Sequence, residues 1–283
     1  MEIKKIGLVG FGITGSGIAQ ICALSNYQVE VVEINQLSIN KGLNRINLAL
    51  NKAVENDDIS KKDKEAVLDR IQITNSMSDF WDCDLVIEAI VENIDEKKKL
   101  FIELDRACPA HTIFVSNTSC LSVTDMAVVT QRPDKVLGLH FFNPVPVMAL
   151  LEIVRTIVTS DETIRTIEAF GRSIGKTIVM AKDEPGFIVN RILMPFILNA
   201  IRMLDGGVAS RDDIDKAIQL GLNHPMGPLA LADLIGLDII YSIVSSLYQE
   251  FKDPQYTPPI TVKKMIAAGW LGRKTGQGFY SYK

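Results

Sequence analysis

The glycine pattern near the start of the chain constrains its fold more than any other feature. A short apolar run ends at Gly10, and Gly12 and Gly15 follow in the spacing Gly-x-Gly-x-x-Gly before a helical stretch, Ser16–Leu24. Gly10 permits a tight turn, Gly12 lets a pyrophosphate approach the backbone, and Gly15 lets the helix pack close to the strand. The free N–H groups at the start of such a helix attract phosphates. The pattern therefore predicts a dinucleotide-binding strand–turn–helix unit.

An acidic residue in the next predicted strand indicates which dinucleotide is bound. Glu33 lies twenty-one positions after Gly12, and the residue before it is Val32. A carboxylate there accepts hydrogen bonds from both ribose hydroxyls and repels a 2′-phosphate, and the neighbouring valine cannot hold one as an arginine would. These residues favour NAD over NADP as the cofactor. The alternative is a glycine-rich turn in another α/β fold, with Glu33 as a solvated strand end.

Strand and helix patterns alternate along the first two-thirds of the chain. Because strands separated by helices are joined by right-handed crossovers, the alternation predicts an α/β fold, with a Rossmann-type, mostly parallel sheet and helices on both faces. A polar helical insertion spans residues 36–70 and carries apolar residues at helical spacing. The predicted strands are Lys5–Gly10, Val29–Ile34, Leu85–Ile90, Thr112–Ser116, Lys135–Leu139, Leu151–Val154 and Thr177–Met180.

The pattern changes near Glu184, which Pro185 and Gly186 follow. A length of 283 residues corresponds to about two domains. We therefore expect a first domain of residues 1–184 and an all-helical C-terminal domain of residues 185–283. The predicted helices of the second domain are Phe187–Asp205, Ser210–Leu220, Leu229–Phe251 and Pro259–Ala268.

Composition and charge exclude several classes of function. The formal net charge is -4 and the pI is about 5.5, so the chain lacks the basic excess usual in nucleic-acid-binding proteins. The four cysteines are widely spaced and the histidines number three, a pattern that predicts neither a disulfide framework nor a metal site. Glycines interrupt the first apolar stretch, and Asp238 interrupts the apolar run Leu234–Tyr248. We expect no membrane span and a cytoplasmic protein.

One histidine follows an apolar predicted strand, at the strand end where α/β sheets bind ligands. His140 follows Val136–Leu139, and Glu152 lies inside another apolar run. An unpaired buried carboxylate costs roughly several kcal/mol, so Glu152 needs a partner. Pairing would fix the tautomer of the imidazole and raise its basicity. The alternative is two independent residues, one in the core and one at the surface. Of the other histidines, we interpret His111 as a surface residue and His224 as structural or bordering a cleft.

A series of motifs resembles the L-3-hydroxyacyl-CoA dehydrogenase family, and most closely its bacterial 3-hydroxybutyryl-CoA dehydrogenases. The resemblance spans essentially the whole chain, in order, and implies a Rossmann NAD-binding domain followed by a helical domain that forms a homodimer contact. The motifs are GFGITGSGIAQ (10–20), DLVIEAIVE (84–92), SNTS (116–119), GLHFFNPVP (138–146), EPGFIVNR (184–191), HPMG (224–227) and GWLGRKTGQGFY (269–280).

The resemblance implies an activity and a set of site residues. The activity is oxidation of an (S)-3-hydroxyacyl-CoA to a 3-oxoacyl-CoA, and its reverse. His140 would be the catalytic acid/base, Glu152 its electrostatic partner, and Ser119 and Asn190 would contact the substrate in a cleft between the domains. Lys52 matches a lysine associated with coenzyme A binding. The matching NAD positions are Gly10, Gly12, Gly15, Glu33, Glu92, Lys97, Ser119, Asn143 and Lys274.

Several residues depart from the usual family pattern, and two other functions stay open. Phe11, Thr14, Glu33 and Cys120 stand where alanine, methionine, aspartate and serine are common in the family. Asn56 and Asp57 stand where relatives are often more basic. A related hydroxyacid dehydrogenase, such as an L-gulonate dehydrogenase, would keep the histidine–glutamate pair without a lysine-bearing coenzyme A helix. A non-catalytic NAD-binding sensor would have no use for an acid/base pair.

Overall fold

The computed structural model describes residues 1–282, and these divide into two compact units at Glu184 and Pro185. The first unit contains a single eight-stranded sheet. Its strands are β1 (Lys5–Val9), β2 (Gln28–Val32), β3 (Ile71–Thr74), β4 (Leu85–Glu88), β5 (Ile113–Ser116), β6 (Val136–Phe141), β7 (Leu150–Arg155) and β8 (Thr177–Lys182).

The order of the strands in the sheet is β3-β2-β1-β4-β5-β6-β7-β8. Every neighbouring pair is parallel except β6 and β7, which run antiparallel. The strand order reverses direction between β1 and β4, which is where doubly wound sheets bind their ligands. The carboxyl ends of β1, β2, β4, β5 and β6 therefore share one edge of the sheet.

Six helices flank this sheet, and polar caps fix where several of them begin. Asn35 accepts hydrogen bonds from two backbone N–H groups at the start of its helix, and Asn93 does the same in another. Such caps satisfy backbone donors that the helix itself leaves unpaired. The helices are α1 (Ile13–Leu24), α2 (Gln36–Glu55), α3 (Lys61–Asp69), α4 (Ile94–Ala107), α5 (Val123–Ala127) and α6 (Asp161–Ser173).

The insertion between β2 and β4 is more complex than the sequence predicted. It holds two helices, α2 and α3, and the short strand β3, which pairs in parallel with β2. The strand was missed because it has only four residues, Ile-Gln-Ile-Thr, directly after a polar helical stretch. Such a short segment carries little periodicity of its own, so its pairing with β2 decides its conformation.

The second unit is built from helices around its own apolar core. Ile197, Ile201, Leu229, Ile240 and Val244 are fully buried in this core. The helices are α7 (Val189–Asp205), α8 (Arg211–Leu222), α9 (Pro228–Ile235), α10 (Leu237–Phe251) and α11 (Ile260–Ala267).

The predicted single helix Leu229–Phe251 is wrong, because the chain bends by 96° between α9 and α10. Gly236 lies at the bend with φ of +105°, a conformation that residues with a Cβ rarely adopt. Among residues 1–282, no single helix has the length and apolarity to cross a membrane, and only this bent pair meets those two criteria jointly.

A buried carboxylate ties the last described residues to the second unit. Asp233 on α9 is 1% exposed and accepts hydrogen bonds from the backbone N–H groups of Phe279 and Tyr280 and from the Tyr282 hydroxyl. A second carboxylate, that of Asp215 on α8, accepts a hydrogen bond from the Tyr280 hydroxyl. The terminal segment is therefore an integral part of this unit.

Candidate active site

The glycine-rich turn after β1 has the geometry of a phosphate-binding loop. Gly10 has a φ of +94°, and a Cβ there would lie 2.6 Å from the carbonyl oxygen of Ala89. A Cβ on Gly15 would lie 2.0 Å from the Gly10 carbonyl oxygen, so only glycine lets α1 start so close to the turn. At Gly12 a Cβ would meet nothing within 4 Å, which leaves open space against the backbone at the start of α1. These features fit a bound pyrophosphate.

Glu33 connects this loop to the start of α2. One carboxylate oxygen accepts the backbone N–H of Phe11 at 3.0 Å, and the other accepts the N–H of Asn35 at 2.9 Å. A carboxylate has further lone pairs, so both oxygens can still accept ribose hydroxyls. The adjoining pocket has a volume of about 470 Å³, and its lining combines backbone and apolar groups with this one carboxylate. It is lined by Val9, Gly10, Gly12, Val32, Glu33, Ile34, Ser38, Met77, Ala89, Ile90 and Val91.

The loop, the pocket and the carboxylate together fit the adenosine and pyrophosphate parts of NAD. The loop supplies open backbone for phosphates, Glu33 supplies the acceptor for ribose hydroxyls, and Ile34 supplies an exposed apolar surface for the base.

His140 and Glu152 form a buried pair across two neighbouring strands. They lie directly opposite one another in the antiparallel pairing of β6 and β7, and His140 Nδ1 lies 2.7 Å from Glu152 Oε2. Glu152 is 0% exposed and His140 is 4% exposed. Because a carboxylate can only accept, Nδ1 carries the proton and donates it, which leaves the lone pair of a neutral ring on Nε2.

The second ring nitrogen faces a hydroxyl from the loop after β5. His140 Nε2 lies 3.1 Å from Ser119 Oγ, which donates when the ring is neutral. The Phe142 ring packs 4.5 Å from the imidazole, centroid to centroid, and limits its movement. The result is a three-membered relay, Ser119–His140–Glu152, whose outer nitrogen can exchange a proton with a ligand.

Glu92 binds the loop that carries Ser119 through hydrogen bonds. One of its oxygens accepts the Ser119 backbone N–H at 3.0 Å and the Thr118 hydroxyl at 2.6 Å. Its other oxygen lies 3.3 Å from Lys97 Nζ. The position of Ser119 relative to His140 therefore depends on where this carboxylate lies.

Lys97 is buried between two carboxylates. Its side chain is 1% exposed, and its Nζ lies 2.6 Å from Glu88 Oε1. Glu88, which is 0% exposed, also accepts the Ser116 hydroxyl at 2.5 Å. The sequence-based prediction did not include Glu88, although a carboxylate inside the apolar strand Leu85–Ile90 is the same signal that pointed to Glu152.

The loop between β6 and β7 is hydrogen-bonded to α1 and to Lys176, the residue before β8. Asn143 Nδ2 donates to Thr14 Oγ1 at 2.9 Å, which joins the loop to the first turn of α1. Lys176 Nζ donates to the carbonyl oxygens of Val145 at 2.6 Å and Met148 at 2.7 Å. Burial lowers the pKa of Lys176. Lys176 was also missed by the sequence-based prediction, because its partners are backbone carbonyls that no side-chain pattern reveals.

The remaining predicted site residues lie elsewhere in the two units. Asn190 is 7% exposed in the first turn of α7, within the second unit. Lys274, also in the second unit, pairs with Asp238 at 2.5 Å. Lys52 is exposed in the last turn of α2. The first unit alone brings together Glu92, Ser119, His140 and Glu152.

Three cysteines lie in environments that oppose ionisation. Burial raises the pKa of Cys83 and of Cys108 to about 12, and it raises the pKa of Cys22 further. These thiols stay protonated near neutral pH and act as apolar packing groups. Within residues 1–282, no cluster of three or more His, Cys, Asp or Glu side chains is arranged to hold a metal ion.

Comparison with known sequences identifies the family. The pattern described as "3-hydroxyacyl-CoA dehydrogenase, NAD binding domain" matches residues 5–184, and that described as "3-hydroxyacyl-CoA dehydrogenase, C-terminal domain" matches residues 186–282. The chain belongs to the 3-hydroxyacyl-CoA dehydrogenase family. The NAD-binding fold of this family is the one that the glycine pattern predicted, and the fold class is confirmed.

Individual proteins match over the whole chain. The "probable 3-hydroxybutyryl-CoA dehydrogenase" of Bacillus subtilis is 45% identical over 100% of this chain and 99% of its own length. The structure of FadB2 from Mycobacterium tuberculosis superposes with a TM-score of 0.97 at 42% identity, covering 100% of both chains. The structure of (S)-3-hydroxybutyryl-CoA dehydrogenase PaaH1 from Ralstonia eutropha has a TM-score of 0.94 at 44% identity, again covering 100% of both.

Proposed function

We propose that this protein is an NAD-dependent 3-hydroxybutyryl-CoA dehydrogenase. It would oxidise (S)-3-hydroxybutyryl-CoA to acetoacetyl-CoA and catalyse the reverse reduction. The observation that carries the proposal is the buried His140–Glu152 pair, whose outer nitrogen faces Ser119 Oγ at 3.1 Å. The substrate follows from the names of relatives that match over their full length.

His140 acts as the acid/base of the reaction. In the oxidation, its Nε2 lone pair takes the proton of the substrate hydroxyl. The imidazolium that forms is stabilised by the Glu152 carboxylate, 2.7 Å from Nδ1, so the pair gains a favourable interaction as charge develops. In the reduction, the same Nε2–H returns the proton to the carbonyl oxygen. NAD supplies the hydride chemistry when it is bound.

Ser119 and Asn190 bind the reacting oxygen of the substrate. Both carry neutral donors, so they can polarise an oxygen without competing with His140 for its proton. Ser119 lies beside Nε2 of His140, where such an oxygen must come for proton transfer. Asn190 belongs to the second unit, and its part in the site rests on the family resemblance.

The cofactor is held by the turn of Gly10, Gly12 and Gly15 and by Glu33, which present open backbone and a ribose acceptor at one sheet edge. The family resemblance adds Glu92, Lys97, Ser119, Asn143 and Lys274 to the proposed NAD site. Glu92 and Asn143 are exposed and lie in loops at that same edge, after β4 and β6.

Lys52 binds the coenzyme A part of the substrate from the exposed side of α2. The enzyme forms a homodimer through its helical second unit, as the family resemblance implies, and works in the cytoplasm. The wide spacing of the four cysteines along the chain supports a reducing compartment.

The test follows the absorbance of NADH as it is consumed with acetoacetyl-CoA or free acetoacetate, and as it is formed from NAD with gulonate, all at the same concentrations. We expect oxidation of NADH with the thioester and rates at least about 100-fold lower with the free acids, since binding energy from the coenzyme A part is lost with them. A higher rate with gulonate or with free acetoacetate would reject the proposed substrate. Binding of NADH without turnover of any of the three would favour a sensor.

A further inference from the structure

The loop that carries Ser119 is hydrogen-bonded to a cluster of three charged residues, Glu88, Lys97 and Glu92. None of the three takes part in the proton transfer proposed above. Glu88 at the end of β4 is 0% exposed, and its carboxylate accepts from Lys97 Nζ at 2.6 Å, from the Ile90 backbone N–H at 2.7 Å and from Ser116 Oγ at 2.5 Å. The Lys97 side chain is 1% exposed. The Glu88 carboxylate is therefore held by three donors, and the buried Lys97 is its salt-bridge partner.

A buried ion pair is weak grounds for stability. Removing two charges from water costs desolvation free energy that their attraction often fails to exceed, and apolar residues of similar volume can replace such pairs without loss of stability. A pair in this position therefore points to a role other than holding the fold together. The contacts of Lys97 beyond Glu88 indicate a candidate for that role.

Lys97 connects the buried pair to the loop. The same Nζ lies 3.3 Å from Glu92 Oε2, and Glu92 Oε1 accepts the backbone N–H of Ser119 at 3.0 Å. The Glu92 side chain is 33% exposed, so hydration competes for its carboxylate. The cation of Lys97 offsets that competition and keeps Glu92 turned towards the loop.

The contacts continue to the acid/base. Ser119 Oγ lies 3.1 Å from His140 Nε2, and His140 Nδ1 lies 2.7 Å from Glu152. A displacement of about 1 Å in such a site can cost about 100-fold in rate. The position of Glu92 therefore bears directly on turnover.

We propose that Glu88 and Lys97 are positioning residues, a buried ion pair that holds Glu92 against the Ser119 loop and so aligns Ser119 with His140. This inference deepens the proposed function and rests on it. It assigns Lys97 an action through Glu92, where the family resemblance alone implies direct contact with NAD.

The test compares three variants with the wild type. Lys97→Met removes the cation but keeps an apolar side chain of similar length. Glu88→Gln/Lys97→Met removes both buried charges, while the glutamine amide can still hydrogen-bond to the Ile90 N–H and the Ser116 hydroxyl, so it folds even where the single variant leaves Glu88 unpaired and fails to fold. Lys98→Met is the matched control, because the adjacent lysine of the same helix pairs with Asp125 at the surface.

We expect the double variant to have a melting temperature within a few degrees of the wild type and a kcat about 100-fold lower. The KM for acetoacetyl-CoA and the Kd for NADH, measured by the fluorescence of NADH, should change by less than about threefold, since the misaligned groups act on proton transfer. Lys98→Met should behave as wild type. If the pair only stabilised the fold, a double variant with the melting temperature of the wild type would also have the kcat of the wild type.

Two results would overturn the inference. One is a kcat in the double variant that equals that of Lys98→Met. The other is a Kd for NADH raised about 100-fold with kcat unchanged at saturating cofactor, which would place Lys97 in direct contact with NAD.

A measurement on the protein without cofactor separates this inference from the proposed function. The ring nitrogen shifts of His140 can be followed by nuclear magnetic resonance, because the chain has only three histidines. We expect the double variant to move the Nε2 signal of His140 and to leave His111 and His224 unchanged. If the His140 signal is the same in the double variant and the wild type, the positioning role is rejected. If the signal differs between them but the wild type has no activity with acetoacetyl-CoA, only the proposed reaction is rejected.

Discussion

His140 and Glu152 are cross-strand neighbours as well as hydrogen-bond partners. They face each other in the one antiparallel pairing of the sheet, that of β6 with β7, and 2.7 Å separates Nδ1 from Oε2. A shift of this pairing by one residue would move Glu152 to the opposite face of the sheet. The strand register, more than the local loop, therefore sets the geometry of the acid/base pair.

Replacing His140 by glutamine should abolish turnover while leaving the cofactor site intact. General acid–base catalysis contributes about 10²- to 10⁴-fold, and we expect kcat to fall by about 10³-fold. The turn at Gly10–Gly15, where we propose that NADH binds, lies after a different strand, β1, so the Kd for NADH should stay within about twofold of the wild type. Initial rates and a fluorescence titration measure both. A His140→Gln enzyme with more than a tenth of wild-type activity would contradict the assignment.

Replacing Glu152 by glutamine tests its charge separately from its shape. Glutamine can still accept a hydrogen bond from Nδ1, but it cannot stabilise the imidazolium. We expect kcat to fall by about 10³-fold, as for loss of the carboxylate in comparable pairs. Rates should be measured across pH 6–9, and Glu162→Gln, at the exposed start of α6, serves as control. Retention of full activity would show that the carboxylate only fills space.

The pairing of His140 with Glu152 was predictable because burying charge is costly. A glutamate inside an apolar strand needed a partner, and this requirement led to Glu152 and then to His140. Glu88 carries the same signal, but its partner Lys97 lies on α4, on an amphipathic pattern that resembles an ordinary surface helix. The strand β3 and the break at Gly236 were not predicted, since strand pairing and backbone φ at these points depend on tertiary packing.

Glu33 should determine both affinity and preference for the cofactor. Its carboxylate holds Phe11 N–H and Asn35 N–H and is placed to accept ribose hydroxyls. A charge-assisted hydrogen bond contributes about 1.5–3 kcal/mol, so Glu33→Ala should raise the Kd for NAD by about 10- to 100-fold. The Kd for NADP should rise less, because repulsion of its 2′-phosphate disappears. Calorimetric titration with both dinucleotides measures the ratio, and an unchanged ratio would count against the ribose contact.

The buried thiols should make the protein lose stability at alkaline pH. The pKa of Cys83 and of Cys108 is raised from 9.0 to about 12 in the folded chain. Above pH 9 the unfolded chain releases these protons while the folded chain keeps them, so the free energy of unfolding falls as pH rises towards 12 and is flat below 8. Each thiol should lower the free energy of unfolding by roughly 1 to 2 kcal/mol between pH 8 and pH 10. Urea denaturation at both pH values checks this.

The control for that prediction is the double variant Cys83→Ala/Cys108→Ala. Its free energy of unfolding should fall by about 3 kcal/mol less than that of the wild type over the same pH interval. Equal losses in the two proteins would assign the alkaline transition to other groups.

Lys176→Met should loosen the loop between β6 and β7. The substitution leaves the carbonyl oxygens of Val145 and Met148 without the Nζ donor, and an unsatisfied buried acceptor costs about 1–3 kcal/mol. Because Asn143 in this loop contacts Thr14, the Kd for NADH should rise severalfold. Urea denaturation and NADH titration give the two quantities. Lys182→Met, an exposed lysine at the end of β8, should change neither, and equal effects of both variants would refute the anchoring role.

The hydrogen bond from the Phe279 backbone N–H to Asp233 has a consequence for folding during synthesis. The donor follows the acceptor by 46 positions. At a synthesis rate of about 5–20 residues per second, a ribosome needs roughly 2–9 s to cover that distance. During this interval the Asp233 carboxylate cannot accept the hydrogen bonds of the Phe279 and Tyr280 backbone N–H groups. The second unit therefore cannot complete its folding until these two residues have been synthesised.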